Sequence, residues 1–215
     1  MSAPRVEVAA LGPDSLAEVA EVHQLAFPRA VLTRLGAGAV RRYYEWQFVG
    51  PHDLVATGAW IDGELVGFCF GGVFRGAVGG FIRRHRAYLI SQLLFRPWLV
   101  TDPLVRDRAR VGRVAFMRRA GAVPTTSAGA AAPNEGPRPF SILSIAVQPE
   151  RRGCGIGALL LARAEADARQ RGFKRMGLTV HADNVAAIRL YERCGWRPLA
   201  RGTDGDLGMV KDLAS

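Results

Sequence analysis

Residues 142–196 read ILSIAVQPERRGCGIGALLLARAEADARQRGFKRMGLTVHADNVAAIRLYERCGW, and their order decides the fold. An apolar strand, Ile142–Val147, runs into a turn holding Gly153, Gly155 and Gly157. The turn opens a helix expected from Gly155 to Arg171, with Gly172 as its stop. A second strand, Lys174–Val180, and a second helix, Asn184–Cys194, follow. Glycine lets the backbone approach a ligand closely. The first N–H groups of a helix lack internal partners and, with the helix dipole, attract an anion. Arg151 and Arg152 add fixed positive charge beside the turn. The arrangement suits a pyrophosphate held on a helix N-terminus beside a strand edge.

Two phosphate motifs are excluded. The dinucleotide fingerprint fails because its third glycine is missing and no acidic residue ends the next strand. The phosphate-binding loop fails because no Gly-Lys-Ser/Thr follows. A tight strand-to-helix turn without a ligand is the alternative for the glycines alone, and Cys154 reads as a small filler residue.

Three blocks together resemble the GCN5-related N-acetyltransferase (GNAT) family. The family's Arg/Gln-x-x-Gly-x-Gly/Ala pattern is matched by Arg152-x-x-Gly155-x-Gly157. The strand Leu143–Val147, with Pro149 two residues on, matches the family's acetyl-CoA strand. Asn184-x-x-Ala187-Ile188-x-x-Tyr191-x-x-x-Gly195-Trp196 matches its C-terminal signature. The resemblance is strong over residues 140–212 and looser over 1–75. It implies an α/β fold with a mixed, mostly antiparallel sheet and helices on both faces. The fourth and fifth strands are then parallel and splayed. It also implies acetyl-CoA as acyl donor, direct transfer to an amine and no metal.

Site residues follow from the same resemblance. Ile145, Ala146 and Val147 supply the strand edge for the acetyl and pantetheine groups. A backbone N–H there would stabilise the thioester oxygen in the transition state. Arg152, Gly153, Cys154, Gly155, Ile156, Gly157 and Ala158 form the pyrophosphate turn. Asn184 contacts pantetheine, caps its helix, or both. Tyr191 stands where the family keeps a general acid for the leaving thiolate; a buried core aromatic is the alternative. The base is open. Relatives acting on protein N-termini carry Glu five residues before the Asn, where this chain has Thr179. His181 and Glu45 are candidates, with His23 and Asp53 behind them, and an amine arriving neutral needs no base.

The remaining sequence sets bounds. A chain of 215 residues is read as one domain, 1–215. Val6–Ala10 reads as a first strand, and a helix capped by Asp14 or Ser15 reaches about Phe27. Thr33–Phe48 reads as helical. This region resembles a bacterial subgroup of the family whose opening helices line the acceptor side. Arg34, Tyr43, Tyr44 and Glu45 are then acceptor contacts, or else core aromatics and a solvated face. Leu54–Ile61 and Leu65–Gly72 form a hairpin at Asp62-Gly63. Ile142–Val147 is apolar enough for burial on both faces. Trp196–Arg201 and Asp206–Lys211 make a final hairpin.

Residues 76–120 interrupt the family plan with helix-like apolar spacing. Residues 81–120 hold ten Arg against two Asp within a chain of net charge +10. This basic helical insert between strands three and four covers the acceptor cleft, touches an anionic membrane, or forms a homodimer contact. Nucleic acid is disfavoured, because no recognised binding motif accompanies the charge. Residues 121–139 are rich in Pro and Ala and read as a linker. No run of about 18 apolar residues predicts a membrane span. No signal peptide is recognised, and three cysteines give no disulfide framework, so a cytoplasmic setting is expected. The expected acceptor is a primary amine on a small molecule: an amino sugar, a nucleotide-linked amino sugar or an antibiotic-like amine. A protein N-terminus or lysine, and a non-catalytic CoA-binding module, are the alternatives.

Overall fold

A computed structural model describes residues 5–98, 139–201 and 205–213. Seven strands form one sheet: β1 (Glu7–Ala10), β2 (Asp53–Ile61), β3 (Glu64–Val73), β4 (Phe140–Val147), β5 (Arg175–His181), β6 (Arg197–Arg201) and β7 (Asp206–Asp212). Their order across the sheet is β1-β2-β3-β4-β5-β7-β6. Only β4 and β5 run parallel; every other pair is antiparallel. The β2–β3 hairpin closes at Asp62-Gly63, as expected. Both residues have positive φ, 52° and 83°, the geometry that matches a tight hairpin to strand twist.

Helices cover both faces. On one lie α1 (Leu16–Ala26), the short α2 (Val31–Arg34) and α3 (Ala37–Val49). On the other lie α6 (Ile156–Gln170) and α7 (Val185–Arg193). Each layer has its own core. Val19, Val22, Val40, Tyr44, Phe68 and Phe70 pack together on the α1–α3 side. Ile156, Leu160, Leu161, Met176, Tyr191 and Trp196 pack on the α6–α7 side. Gly67 of β3 keeps that second layer close: a Cβ there would meet the Ala146 carbonyl at 2.9 Å and Leu160 at 3.3 Å.

Three local expectations are corrected, and the helical insert is given its bounds. Ser15 does not cap α1 with its side chain, because a 3-10 turn at Pro13–Ser15 already holds its backbone near helical angles. The 33–48 stretch breaks into α2 and α3 at Gly36, whose φ of 92° only glycine adopts readily. The insert begins with two helices, α4 (Ala77–Arg84) and α5 (Arg86–Phe95), parted at His85. The first docks Phe81 on Tyr43, while the second buries none of its residues. Strand β4 is not buried throughout. Leu143, Ser144, Ile145 and Val147 are half-buried, because β5 has already turned away beside them. The rest of the insert and residues 121–138 lie outside the described residues.

Lys211 on β7 fastens the sheet to both helices of the second layer. Its ammonium donates to Glu165 of α6 at 2.7 Å and to the Cys194 carbonyl at the end of α7. Glu165 is buried, and its other cation, Arg169, stands 3.8 Å away. Removing one partner strands a buried charge. Lys211→Met is expected to lower unfolding free energy by about 2–3 kcal/mol, read from urea denaturation. A loss within ordinary surface scatter would show that Arg169 suffices.

Candidate active site at the parting of two strands

Strands β4 and β5 pair only through Phe140↔Met176, Ser141↔Gly177 and Ile142↔Leu178. Beyond Ile142 they separate, which confirms the expected splay. The parting coincides with a register shift in β3–β4, where Phe70 faces Ser144 but Gly71 faces Ile142. Leu143 is the extra residue of a bulge, a device that bends one strand away from its neighbour.

The β3–β4 ladder fixes which groups face the gap. Gln148 donates its N–H to the Val66 carbonyl. In an antiparallel ladder this direction recurs every second residue, so Ala146 and Ser144 also turn their peptide groups to β3. Ile145 and Val147 therefore present theirs to the side β5 has vacated. Of the three expected edge residues, these two form the edge, and Ala146 is committed to Phe68.

At the end of β4 the chain turns through Gly153 and Gly155, both at φ 81°, into α6. A Cβ on either would meet nothing within 4 Å, so the turn is an open cradle. No side chain caps α6. Among the described residues none accepts from the N–H groups of Cys154, Gly155, Ile156, Gly157 or Ala158. These are the N–H groups that the sequence reading assigns to an anion. Arg152 is engaged differently. Its guanidinium donates to the Val147 carbonyl at 3.4 Å and the Ala26 carbonyl at 3.2 Å, tying α1 to the end of β4. Cys154 is exposed and its thiol turns back to the Arg152 carbonyl.

Tyr191 lies on the inner face of α7, buried against Trp196 in the same core as Cys69, which faces Ile145 across β3–β4. Burial pushes its pKa well above the ordinary tyrosine value, and the Cys69 thiol adds to the rise. The phenol is protonated at neutral pH, as an ordinary tyrosine is, and burial makes it harder to ionise. Asn184 caps α7 by accepting the Ala187 N–H at 3.2 Å.

The base candidates do not converge. His181 ends β5 on its exposed face and leans toward Asp183 at 3.6 Å. Glu45 is exposed on α3, and its charge is felt at His85 on the insert side. Asp53 is ion-paired with Arg171. On β2 it pairs with Val73 of β3, level with the closed end of the β4–β5 pair and not with the gap. His23 belongs to a line that sequence reading missed. Its Nδ1 meets the Tyr44 hydroxyl at 2.9 Å, and that hydroxyl meets Ser144 Oγ at 3.0 Å. The line crosses the first core to the bulged strand. Tyr44 is therefore a buried core residue rather than an acceptor contact, and Tyr43 packs on Tyr44 and Phe81. A cavity of about 380 Å³ between α1 and the β2–β3 hairpin, lined by Glu18, Glu21, Glu64 and Gln148, contains none of the predicted site residues. Among the described residues no group of His, Cys, Asp and Glu could hold a metal ion, and no helix is long and apolar enough to cross a membrane.

Residues 17–196 match the acetyltransferase (GNAT) family, and the chain belongs to that family. No curated protein matches the chain in sequence. Solved structures share the fold at low identity. The PaiA N-acetyltransferase of Thermoplasma acidophilum, in complex with coenzyme A, is 14% identical with a TM-score of 0.58, covering 97% of this chain and 99% of that one. The ribosomal-protein-alanine N-acetyltransferase of Brucella melitensis is 18% identical with a TM-score of 0.56, covering 96% and 99%. An N-acetyltransferase of Staphylococcus aureus is 14% identical with a TM-score of 0.57, covering 98% and 99%.

His23 makes the core sensitive to acid. Burial lowers its pKa from 6.5 to about 4. Between those values the unfolded chain binds a proton that the folded chain refuses, so stability falls as pH drops through that window. The expected loss is about 3 kcal/mol between pH 7 and pH 4. His52 and His85 are shifted the same way. The comparison is therefore wild type against His23→Gln, whose stability profile should be flatter over that range. Parallel profiles would remove His23 as the source.

Proposed function

We propose that the chain is an acetyl-CoA-dependent N-acetyltransferase acting by direct transfer on a primary amine of a small molecule. The class of acceptor is an amino sugar, a nucleotide-linked amino sugar or an antibiotic-like amine. The observation that carries the reading is the gap between β4 and β5, open from Leu143 onward. It is bordered by the peptide groups of Ile145 and Val147, which no neighbouring strand pairs on that side, and leads to the uncapped start of α6.

Bound acetyl-CoA supplies an activated acyl group. The N–H groups of Cys154 to Ala158 suit its pyrophosphate, and Arg151 adds charge beside them. Ile145 and Val147 suit the amide-bearing arm, which would add to β4 as a short strand pairs with an edge. An N–H of the same pair faces the gap and can stabilise negative charge developing on the acyl oxygen. Tyr191 holds the proton that the leaving sulfur needs. Thr179, in place of a carboxylate, favours an acceptor that is not a protein N-terminus. The amine then loses its proton before binding or to water in the open gap. Three unpaired thiols, Cys69, Cys154 and Cys194, fit a reducing, cytoplasmic setting.

The test is mass-spectrometric detection of acetylated products from acetyl-CoA and a panel of amino sugars, nucleotide-linked amino sugars, aminoglycosides, polyamines and N-terminal peptides. Acetylation of a small amine supports the reading. Acetylation of peptides alone would replace it with protein modification, and CoA binding with no product from the panel would sink it.

Two variants probe the roles. Tyr191→Phe should lower kcat by about 10²–10⁴-fold with little change in acetyl-CoA affinity. An unchanged kcat removes the acid assignment. Gly155→Val forces a β-branched residue to φ 81° and screens the cradle. Calorimetry should show CoA affinity reduced at least about tenfold in a folded protein. Intact affinity would undo the pyrophosphate assignment.

A further inference from the structure

Helix α5 has the sequence RAYLISQLLF and buries none of its residues. A short helix is marginal in water unless it packs an apolar face. Here that face is turned outward. Ile90, Leu94 and Phe95 are 56%, 75% and 80% exposed, and Val78 and Ile82 on α4 are 56% and 50% exposed. Val78 and Ile82 share one side of α4 at i, i+4 spacing, as Arg86, Ile90 and Leu94 do on α5.

The inner side of the pair is fixed to the protein. Phe81 meets Tyr43 edge-on at 5.4 Å, and Gly80 lies so close to Trp46 that a Cβ would stand 2.4 Å from it. The Arg42 guanidinium sits 4.0 Å over the Tyr88 ring, and Arg96 donates to the Arg34 carbonyl at 3.5 Å. The outward apolar row is thus presented by helices that are held in place.

Charge around the row has one sign. Residues 65–101 contain no Asp or Glu, and they hold Arg75, Arg83, Arg84, Arg86 and Arg96. Arg83, Arg84 and Arg86 are exposed and form no ion pair with a described residue. The carboxylate whose charge is felt at this pair is Glu45, at His85.

From this surface we infer that α4 and α5 dock the protein on a membrane carrying anionic phospholipid. Ile82, Ile90, Leu94 and Phe95 enter the boundary between headgroups and acyl chains, and Arg83, Arg84 and Arg86 meet the phosphates. Such a helix pair needs both contributions: apolar area for insertion and cations for the negative surface. A second copy of the chain fits worse. A twofold contact would set this acid-free patch against itself, arginine facing arginine. A nucleic acid would leave Leu94 and Phe95 without an apolar partner.

The experiment is co-sedimentation of the full chain with vesicles of phosphatidylcholine alone and of phosphatidylcholine mixed with phosphatidylglycerol, at low and high salt. Light scattering after size exclusion gives the oligomeric state. The chain should partition onto the phosphatidylglycerol vesicles, bind phosphatidylcholine weakly, and release as salt rises. Replacing Arg83, Arg84 and Arg86 together with Gln should weaken partitioning about 100-fold, at roughly fivefold per arginine. Leu94→Asp with Phe95→Asp should remove it while circular dichroism stays unchanged. If that double variant unfolds, Phe95→Ala replaces it and should weaken binding at least about tenfold. Equal binding to both vesicles, no binding, or binding indifferent to these substitutions overturns the proposal. A wild-type dimer that the same substitutions split into monomers overturns it in favour of self-association.

Discussion

The parting of β4 from β5 after Ile142 and Leu178 is the constraint on which the rest of the molecule depends. Backbone donors and acceptors inside a protein must find partners. On β4 the residues after the bulge alternate between satisfaction and availability. Ser144 and Ala146 are held by β3, while Ile145 and Val147 look into the gap. The gap stays open because the second layer holds β5 elsewhere. Strand β5 is paired along its full length with β7, and β7 is fastened through Lys211 to α6 and α7. The open edge is therefore a consequence of packing some distance from it.

The same layering sets the electrostatics. Tyr191 is buried among Ile156, Leu160 and Trp196, and desolvation raises its pKa further above neutrality. On the opposite face the buried line His23–Tyr44–Ser144 is neutral for the same reason. Within the buried line, His23 Nε2 is enclosed without a partner among the described residues. That is a cost the fold carries at the place where α1 reaches toward the bulged strand.

How much of this was legible in the sequence depends on how local each cause is. The strand–turn–helix order, the open glycines and the Asn184 cap are written in consecutive residues, and they were read correctly. The hairpin at Asp62-Gly63 was legible for the same reason. The bulge at Leu143 was not, since nothing in FSILSIAV marks which residue is the extra one; that is decided by β3. Arg152 looked free to meet a phosphate, yet its partners are carbonyls of Val147 and of Ala26, 126 residues away. The break at Gly36 was within reach, because Leu-Gly-Ala-Gly interrupts a helical pattern. The His23–Tyr44–Ser144 line spans separations of 21 and 100 residues, and no periodicity signals it. Asp53 was a fair base candidate by residue type and fails on topology alone.

The two helical layers also divide the molecule by task. Everything read as donor-binding lies on β4, on α6 and α7, or in the turn between β4 and α6. The opening helices lie across the sheet, and the described part of the insert is held on them: α4 packs on α3, and α5 is tethered at Tyr88 and Arg96. A change in how the insert is held therefore reaches the gap through α1 and α3, which contact β4 by way of Tyr44 and Ser144. Strand β4 is the one element both layers touch at the gap. Its α6–α7 face carries Ile145 and Val147, and its other face carries Leu143 and Ala146. Substitution on the insert should then act through α1 and α3 while leaving the start of α6 as it is. The physical reason is that no contact of α4 or α5 extends past α3 to the second layer among the principal contacts of the described residues.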